Sequence, residues 1–229
     1  MRVAVVVLAA GSGSRFGQVT NKIWLPLNGR RIISRSLVNA TKSFRGCRTL
    51  LVINPDDIEL AQQTLAGEVP HLKVEIVLGG SSRHESEFNA LNTLASDIES
   101  GAINIVVIHD GARPLATSKL FATIAQVAYR HGGALPAIRV SPKELEFPSK
   151  ESVVRVQTPQ AFVAKELLAA YRKAETDNFR GTDTAACMER YFPNIVTIAV
   201  TGAATNLKIT YPQDLAIAEH LLEERSYRD

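Results

Sequence analysis

The sequence predicts an α/β fold in which a mainly parallel, twisted sheet carries helices on both faces. Short apolar segments alternate with amphipathic helical segments through most of the 229 residues. No internal repeat or low-complexity linker interrupts this alternation. Because the length also suits one α/β unit, we predict a single domain over residues 1–229.

The individual elements follow from the spacing of the apolar residues. Strands are predicted where apolar residues run together, since parallel strands are buried on both faces, over residues 2–8, 48–53, 73–78, 103–108, 132–138 and 195–200. Helices are predicted where the apolar positions have helical spacing, over residues 31–44, 56–66, 82–97, 117–130, 164–174, 182–190 and 211–225. Residues 141–156 contain Pro142, Pro148 and a brief β-like run, which indicates a short β-arm that leaves the sheet.

Charge and cysteine content argue against several classes of protein. The 26 basic and 23 acidic residues leave a net charge of +3, too small to favour nucleic acid or an anionic membrane as the main partner. The first apolar run is shorter than a signal peptide or a membrane span, which predicts a cytosolic protein. Cys47 and Cys187 lie far apart without metal-ligand spacing, so we predict reduced thiols.

A glycine-rich segment follows the first predicted strand. Three glycines within residues 11–17 let the backbone turn tightly and point N–H groups at an anion, and Arg15 and Lys22 add positive charge. A P-loop is excluded because Gln18 stands where its lysine is required, and a dinucleotide fingerprint is disfavoured because Phe16 replaces its third glycine. Glycines alone would fit an ordinary turn, but the two cations favour a phosphate site.

Three further clusters follow predicted strands, at the edge where open α/β sheets bind ligands. Gly79 and Gly80 precede a helix N-terminus that suits an anion or a flat base, although a capped Gly-Gly turn has the same sequence. The Asp110 carboxylate suits Mg²⁺ held against nucleotide phosphates, and its structural alternatives are a helix cap or a partner for Arg113. Lys208, at a predicted strand end between apolar residues, requires either solvent or an anion.

Six motifs occur in the order typical of one family, and they span nearly the whole chain. They are Leu8–Arg15, Gly79–Arg83, His109–Pro114, Gln157–Phe162, Thr182–Asp183 and Asn206–Thr210. In these motifs the chain resembles the 2-C-methyl-D-erythritol 4-phosphate cytidylyltransferases. The resemblance implies a Rossmann-like nucleotidyltransferase fold, a homodimer, and transfer of CMP from CTP to a sugar-alcohol phosphate with Mg²⁺ and release of pyrophosphate.

The resemblance also implies a role for each matched residue. Arg15, Lys22 and Lys208 would be catalytic, the first two on the CTP triphosphate and the third at the reacting centre. CTP binding would involve Ala9, Ala10, Gly11, Ser12, Gly13, Gly79, Gly80, Arg83, Ser86, Asp110 and Gly111. Arg113, Thr182 and Asp183 would bind the acceptor, and Asp110 would hold the metal. His109 we assign to structure, because an attacking phosphate is already ionised and needs no base.

One region departs from the family pattern and leaves the acceptor open. An Asp-Thr pair usual after the fifth strand is absent from residues 137–143, and the stretch that leads to Gln157 is several residues shorter. Ser141 is the candidate replacement for the threonine of that pair. The family's arm carries an arginine, and its candidate replacements are Arg139, Lys143 and Arg155. Residues 83–91 and 206–210 resemble ribitol 5-phosphate cytidylyltransferases at least as well, so ribitol 5-phosphate is the alternative acceptor. A nucleotide-binding protein without transfer activity is a second alternative, and a dehydrogenase is a weaker one.

Overall fold

The structure, a computed structural model, describes residues 1–11, 21–141 and 153–226. Its strands are β1 (Val3–Leu8), β2 (Pro26–Leu27), β3 (Arg30–Arg31), β4 (Arg48–Ile53), β5 (Val74–Leu78), β6 (Ile105–Asp110), β7 (Gly132–Arg139), β8 (Val154–Val156), β9 (Gln160–Val163) and β10 (Val196–Thr201). Its helices are α1 (Ile32–Lys42), α2 (Ile58–Glu68), α3 (Arg83–Thr93), α4 (Ala95–Glu99), α5 (Ser118–His131), α6 (Ala164–Thr176), α7 (Thr184–Tyr191) and α8 (Pro212–Ser226).

One sheet with the strand order β10-β7-β9-β6-β1-β4-β5 organises the described residues. Strand β1 pairs in parallel with β4 and with β6, β4 pairs in parallel with β5, and β10 pairs in parallel with β7. Strand β9 runs antiparallel between β6 and β7, and β8 pairs antiparallel with β7. The predicted α/β fold with a mainly parallel sheet is therefore confirmed.

Helices cover both faces of this sheet because successive strand residues point to opposite sides. In β1, Val3, Val5 and Val7 pack on one side, in a core that also takes residues from α1, α2 and α5. Ala4 and Val6 pack on the other side, in a core with residues from α3, α4, α6 and α7. Burial on both faces explains why the central strands are apolar almost without interruption.

Several predicted boundaries need correction. The strand predicted over residues 103–108 is β6 at 105–110, since pairing with β1 continues through His109 and Asp110. The single helix predicted over residues 82–97 is wrong, because α3 ends at Thr93 and a short α4 begins at Ala95. Lys208 does not lie on a strand; it belongs to an irregular segment that a hydrogen bond from Ile209 N to Ala112 O attaches to the turn after β6.

Part of the predicted arm lies outside the described residues. Within the described part, β8 carries Val154 and Val156 as exposed side chains, and Val140 N donates to Val153 O at 2.9 Å. Residues 142–152 of the arm are not described, so the arm and the single domain stay predictions. In the described part of the chain, no helix has both the length and the apolar composition that a membrane crossing requires.

Candidate active site

A cavity of about 570 Å³ opens at the carboxyl edge of β1, β4, β5 and β6. Strand order places it there, since the chain runs outward from β1 to β5 and then crosses back to β6 on the other side of β1. Ligands of open α/β sheets bind at such a switch point. The described residues that line it are Leu8, Ala9, Ala10, Gly11, Asn21, Lys22, Ile23, Asn54, Gly80, Ser81, Ser82, Arg83, Ser86, Asp110, Ala112 and Lys208.

Close backbone packing forms the floor of this cavity. Gly79 N donates to Ile53 O and Gly111 N donates to Leu8 O, both at 2.8 Å. A Cβ at position 79 would lie 2.4 Å from Ala10 Cβ, and a Cβ at position 111 would lie 2.8 Å from a methyl group of Ile33. The predicted nucleotide residues Gly79 and Gly111 therefore act through close packing beneath the cavity, since neither is among the lining residues.

Asp110 is the carboxylate at the centre of the site. Its side chain is 8% exposed and contacts three cations that come from three different segments. Arg83 Nη1 pairs with Oδ1, Lys208 Nζ lies 2.9 Å from Oδ2, and Arg113 Nε lies 3.6 Å from Oδ2. The predicted requirement of Lys208 for an anion is met by Asp110, and the alternative partnership of Asp110 with Arg113 is also present.

The three cations determine the charge state of this carboxylate. Burial alone would raise the pKa of Asp110, but Arg83, Lys208 and Arg113 outweigh burial and hold that pKa well below its usual value. Burial alone would lower the pKa of Arg83, but Asp110 and Glu87 outweigh burial and raise that pKa above its usual value. Even with both Asp110 and Glu87 ionised, three positive charges face two negative charges here, so the local excess is positive.

His109 lies directly under the cluster and is fully buried. His109 Nε2 lies 3.2 Å from Arg113 O, a carbonyl oxygen that can only accept, so Nε2 is the N–H donor. Nδ1 of the neutral ring is then the acceptor, and the Thr158 hydroxyl, 3.1 Å away, donates to it while Oγ1 accepts from Asp110 N at 3.0 Å. Burial lowers the pKa of His109 to about 3, which keeps the ring neutral and fits the structural role predicted for it.

Lys22 comes from a single 3₁₀ turn, residues 22–24, that follows the glycine-rich segment. Asn21 holds this turn in two ways. Its side-chain oxygen accepts from Ile23 N at 3.4 Å, and its Nδ2 donates to Ala9 O at 3.0 Å. Lys22 is only 9% exposed and lines the cavity, so the turn places the positive charge of this lysine at the cavity wall.

The structure brings most of the described predicted residues together, but not all of them. Arg113 Nη1 donates to Asn206 O at 2.7 Å, so this arginine supports the segment that carries Lys208. Thr182 is exposed, and Asp183 caps α7 by accepting from Ala186 N at 2.9 Å. None of these three predicted acceptor residues lines the cavity among the described residues. Arg15, Ser12 and Gly13 lie outside the described residues, and their roles stay predictions.

For some residues at the site, no individual role was predicted from the sequence. Asn54 lies just after β4, and Ser81 and Ser82 lie between β5 and α3; their position after strands was the available signal. Ser82 caps α3 by accepting from Glu85 N at 3.1 Å, so the capped Gly-Gly turn and the cavity wall are one structure. Asn206 joins Lys208 to the sheet, because its Nδ2 donates to Thr158 O at 2.9 Å.

The donor set around Asp110 decides how a metal ion would be held. In the part of the chain that the structure describes, no three His, Cys, Asp or Glu side chains cluster as metal ligands. Mg²⁺ commonly takes one or two carboxylates and completes its shell with water and substrate phosphates. The single carboxylate at the cavity therefore fits a metal that arrives with a phosphate ligand, and does not fit a metal held by protein alone.

Comparison with known proteins shows to which family the chain belongs. Residues 3–224 match the family described as 2-C-methyl-D-erythritol 4-phosphate cytidylyltransferase. The chain is 37% identical to the protein of that name from Cereibacter sphaeroides, with 97% of each chain covered, and 36% identical to that of Symbiobacterium thermophilum, with 98% of this chain and 94% of the relative covered.

Solved structures of the same family have the same fold. The 4-diphosphocytidyl-2C-methyl-D-erythritol synthase of Anaerococcus prevotii is similar with a TM-score of 0.79 at 25% identity, over 97% of this chain and 98% of that one. The 2-C-methyl-D-erythritol 4-phosphate cytidylyltransferase of Thermus thermophilus is similar with a TM-score of 0.73 at 28% identity, over 97% and 100%. The chain belongs to the 2-C-methyl-D-erythritol 4-phosphate cytidylyltransferase family.

Proposed function

We propose that this protein transfers CMP from CTP to 2-C-methyl-D-erythritol 4-phosphate and releases pyrophosphate. The observation that carries the proposal is the match to the family over residues 3–224, together with a cavity at whose edge Lys22, Arg83 and Lys208 supply positive charge. A nucleoside triphosphate is the kind of ligand that such a cavity would bind. The motifs at residues 79–83 and 206–210 contribute two of these three cations.

The reaction balances without a protein base. An oxygen of the acceptor phosphate forms a bond to the α-phosphorus of CTP, and the bond from that phosphorus to the bridging oxygen breaks as pyrophosphate leaves. The nucleophile is already ionised, so the protein contributes position and positive charge. Lys22 and Lys208 would offset the negative charge that spreads over the phosphoryl oxygens, which is the largest contribution that such a site makes.

Asp110 would hold Mg²⁺ together with phosphate oxygens of CTP, as its single carboxylate allows. The ion would supply positive charge that offsets the negative charge of the phosphates. Asp110 also pairs with Arg83 and Lys208, so these two cations lie beside the carboxylate that would hold the metal.

Three further features of the prediction belong to this proposal. Arg113, Thr182 and Asp183 remain the proposed acceptor residues, and the last two lie where α7 begins. A homodimer remains the proposed assembly, and the exposed Val154 and Val156 of β8 are apolar surface available to it. A cytosolic location stays a prediction from the sequence.

The test is a comparison of acceptors with CTP and Mg²⁺ present. Purified protein is mixed with 2-C-methyl-D-erythritol 4-phosphate or ribitol 5-phosphate, pyrophosphate release is followed, and the CDP product is identified by mass. We expect kcat/KM to be higher with the methylerythritol compound. Faster turnover with ribitol 5-phosphate would contradict the proposed acceptor, and CTP binding without turnover on either acceptor would favour a nucleotide-binding protein.

A further inference from the structure

A carboxylate is buried behind the cavity wall, in a position that no substrate role explains. Glu87 lies on α3, one turn after Arg83, and only 1% of its surface is exposed. It is not among the described residues that line the cavity. A buried carboxylate destabilises a fold unless donors surround it, so its surroundings explain why it is tolerated.

Donors from three helices converge on Glu87. Arg83 Nε of the same helix lies 2.9 Å from Oε1, and Thr184 Oγ1 of α7 donates to that oxygen at 3.1 Å. The Tyr171 hydroxyl of α6 donates to the other oxygen, Oε2. Burial raises the pKa of Glu87 above its ordinary value, and Arg83 and these two hydroxyl groups offset that rise only in part. An arginine that is always a donor faces Oε1, which favours the ionised form.

Arg83 is consequently held by two carboxylates. Its Nε faces Glu87 and its Nη1 pairs with Asp110, while the side chain remains 27% exposed where it lines the cavity. A planar guanidinium that is held at two nitrogens by acids from different elements loses most of its rotational freedom. The arginine is thus preorganised before a nucleotide binds.

Thr184 extends this connection toward the proposed acceptor side. It is fully buried and is the first residue of α7, directly after the helix cap Asp183. Asp183 also accepts from Gln160 Nε2 at 3.2 Å, so the start of α7 is attached to the sheet. One oxygen atom, Glu87 Oε1, therefore contacts the nucleotide side through Arg83 and the α7 side through Thr184.

We propose that Glu87 is a positioning residue for the transfer reaction, whose carboxylate fixes Arg83 at the nucleotide pocket and ties the start of α7 to the same point. The inference rests on the function proposed above. Glu87 acts through Arg83 and Thr184, and it does not contact either substrate. Tyr171 compensates the second carboxylate oxygen and belongs to the support of the fold.

The first test is Glu87→Gln, which preserves the shape of the side chain. Its carbonyl oxygen would face Arg83 and accept from Thr184 while its amide would donate to the Tyr171 oxygen, so we expect a folded protein. We expect kcat/KM for CTP to fall about tenfold, because a charge-assisted contact to Arg83 becomes a neutral one. The matched control is Glu99→Gln, which makes the same change in the exposed Arg172–Glu99 pair and is expected to leave kcat/KM unchanged.

A double-mutant cycle with Arg83→Lys separates positioning from a general loss of structure. Lysine is a single point charge and does not span two carboxylates, so in this background we expect Glu87→Gln to change kcat/KM by less than about twofold. Equal losses in both backgrounds would overturn the inference, because they would show that Glu87 acts independently of Arg83. An unchanged or improved kcat/KM for CTP in the single variant would also overturn it.

Two smaller substitutions test individual contacts of Glu87, and they replace Glu87→Gln if that variant does not fold. Thr184→Val removes one hydroxyl group, and we expect a KM for the acceptor that is several times higher, by roughly the effect of one hydrogen bond, with an unchanged KM for CTP. The Tyr171 hydroxyl contacts the same carboxylate but not Arg83. The Tyr171→Phe substitution should therefore lower thermal stability and leave both KM values unchanged. The reverse pattern would overturn the inference.

A binding measurement keeps this inference distinct from the proposed function. Calorimetry of CTP with Mg²⁺ on wild type and Glu87→Gln needs no acceptor. Weaker CTP binding by the variant, in a protein that turns over neither acceptor, would support the positioning of Arg83 and reject the proposed reaction. Normal CTP binding by the variant, in a wild-type protein that does turn over, would reject the positioning role alone.

Discussion

Two ion-pair clusters in this protein have similar contact distances and opposite surroundings. At the pocket, the carboxylate Asp110 is 8% exposed and contacts three cations, including Lys208 at 2.9 Å. At the surface, Arg48 contacts Glu75 and Asp97, both at 2.8 Å, and all three side chains are at least one-third exposed. Distances alone therefore do not separate a functional cluster from an ordinary one.

Burial separates them. Water reaches every member of the Arg48 cluster, so its one positive and two negative charges need no further partner. Asp110 and Arg113 are mostly buried, and their cluster has more positive than negative charge, which is unfavourable for folding by itself. Such an imbalance at the wall of a cavity is resolved when an anion binds, which supports the proposal that the cluster belongs to a binding site.

The largest effect is expected for Asp110→Asn. The substitution leaves Arg83, Lys208 and Arg113 facing one another with no carboxylate between them. Breaking a buried pair in this way costs about 3–5 kcal/mol of unfolding free energy. We expect turnover to fall by about 10²-fold or more, since the proposed metal ligand and the partner of two cations are lost together.

Asp97→Asn is the matched control, because it makes the same change at the surface cluster. We expect it to lower the unfolding free energy by less than about 1 kcal/mol and to leave turnover unchanged. Urea unfolding and initial rates measure both variants under one set of conditions. Similar stability losses in the two variants would mean that burial does not distinguish the clusters.

Lys22→Ala tests whether the positive charge at the pocket serves the transition state. We expect kcat to fall about 100-fold and the dissociation constant for CTP to rise only a few-fold, because charge spreads over the phosphoryl oxygens during transfer. Steady-state kinetics and calorimetry give the two quantities, with the exposed Lys42→Ala as control. Equal losses in kcat and in affinity would argue that Lys22 only binds the nucleotide.

The sequence was sufficient to predict the central architecture. Strand β4 has the predicted bounds, 48–53, because a buried parallel strand leaves an uninterrupted apolar run between polar turns. Strand β9, at residues 160–163, was not predicted as a strand. It is four residues long and follows a proline, and its pairing with β6 and β7 comes from distant parts of the chain.

The residues of the site also divide into predicted and unpredicted ones. Asp110 and Lys208 were predicted because each interrupts or follows an apolar segment, where a charged side chain needs a partner or solvent. Glu87 was not predicted, since a glutamate one turn after an arginine is the ordinary pattern of a solvated helix pair. Its burial depends on Tyr171 and Thr184, which are 84 and 97 positions away, so local spacing carries no information about it.

The buried His109 beneath Asp110 makes the stability of the protein depend on pH. Its pKa is lowered by burial to about 3 in the folded protein, whereas an unfolded histidine titrates near about 6.5. The unfolded state therefore binds more protons between these values, and His109 lowers stability as the pH falls through that window. We expect the stability difference between wild type and His109→Gln to shrink from pH 7 to pH 4, as followed by urea unfolding at about 1 pH unit intervals.

A stability difference for His109→Gln that stays constant with pH would contradict the neutral buried ring inferred beneath Asp110. It would also weaken the assignment of that histidine to structure.

The smallest effect is expected for Arg48→Gln, at the centre of the surface cluster. Removing the shared cation leaves Glu75 and Asp97 solvated, so the unfolding free energy should fall by less than about 1 kcal/mol. That loss should shrink further in about 1 M salt, where the screening length is only a few ångström. Turnover should be unchanged, because no member of this cluster lines the cavity among the described residues. A salt-independent loss as large as that of Asp110→Asn would show that exposure does not set the strength of these pairs, and the excess charge at the pocket would then no longer imply an anionic ligand.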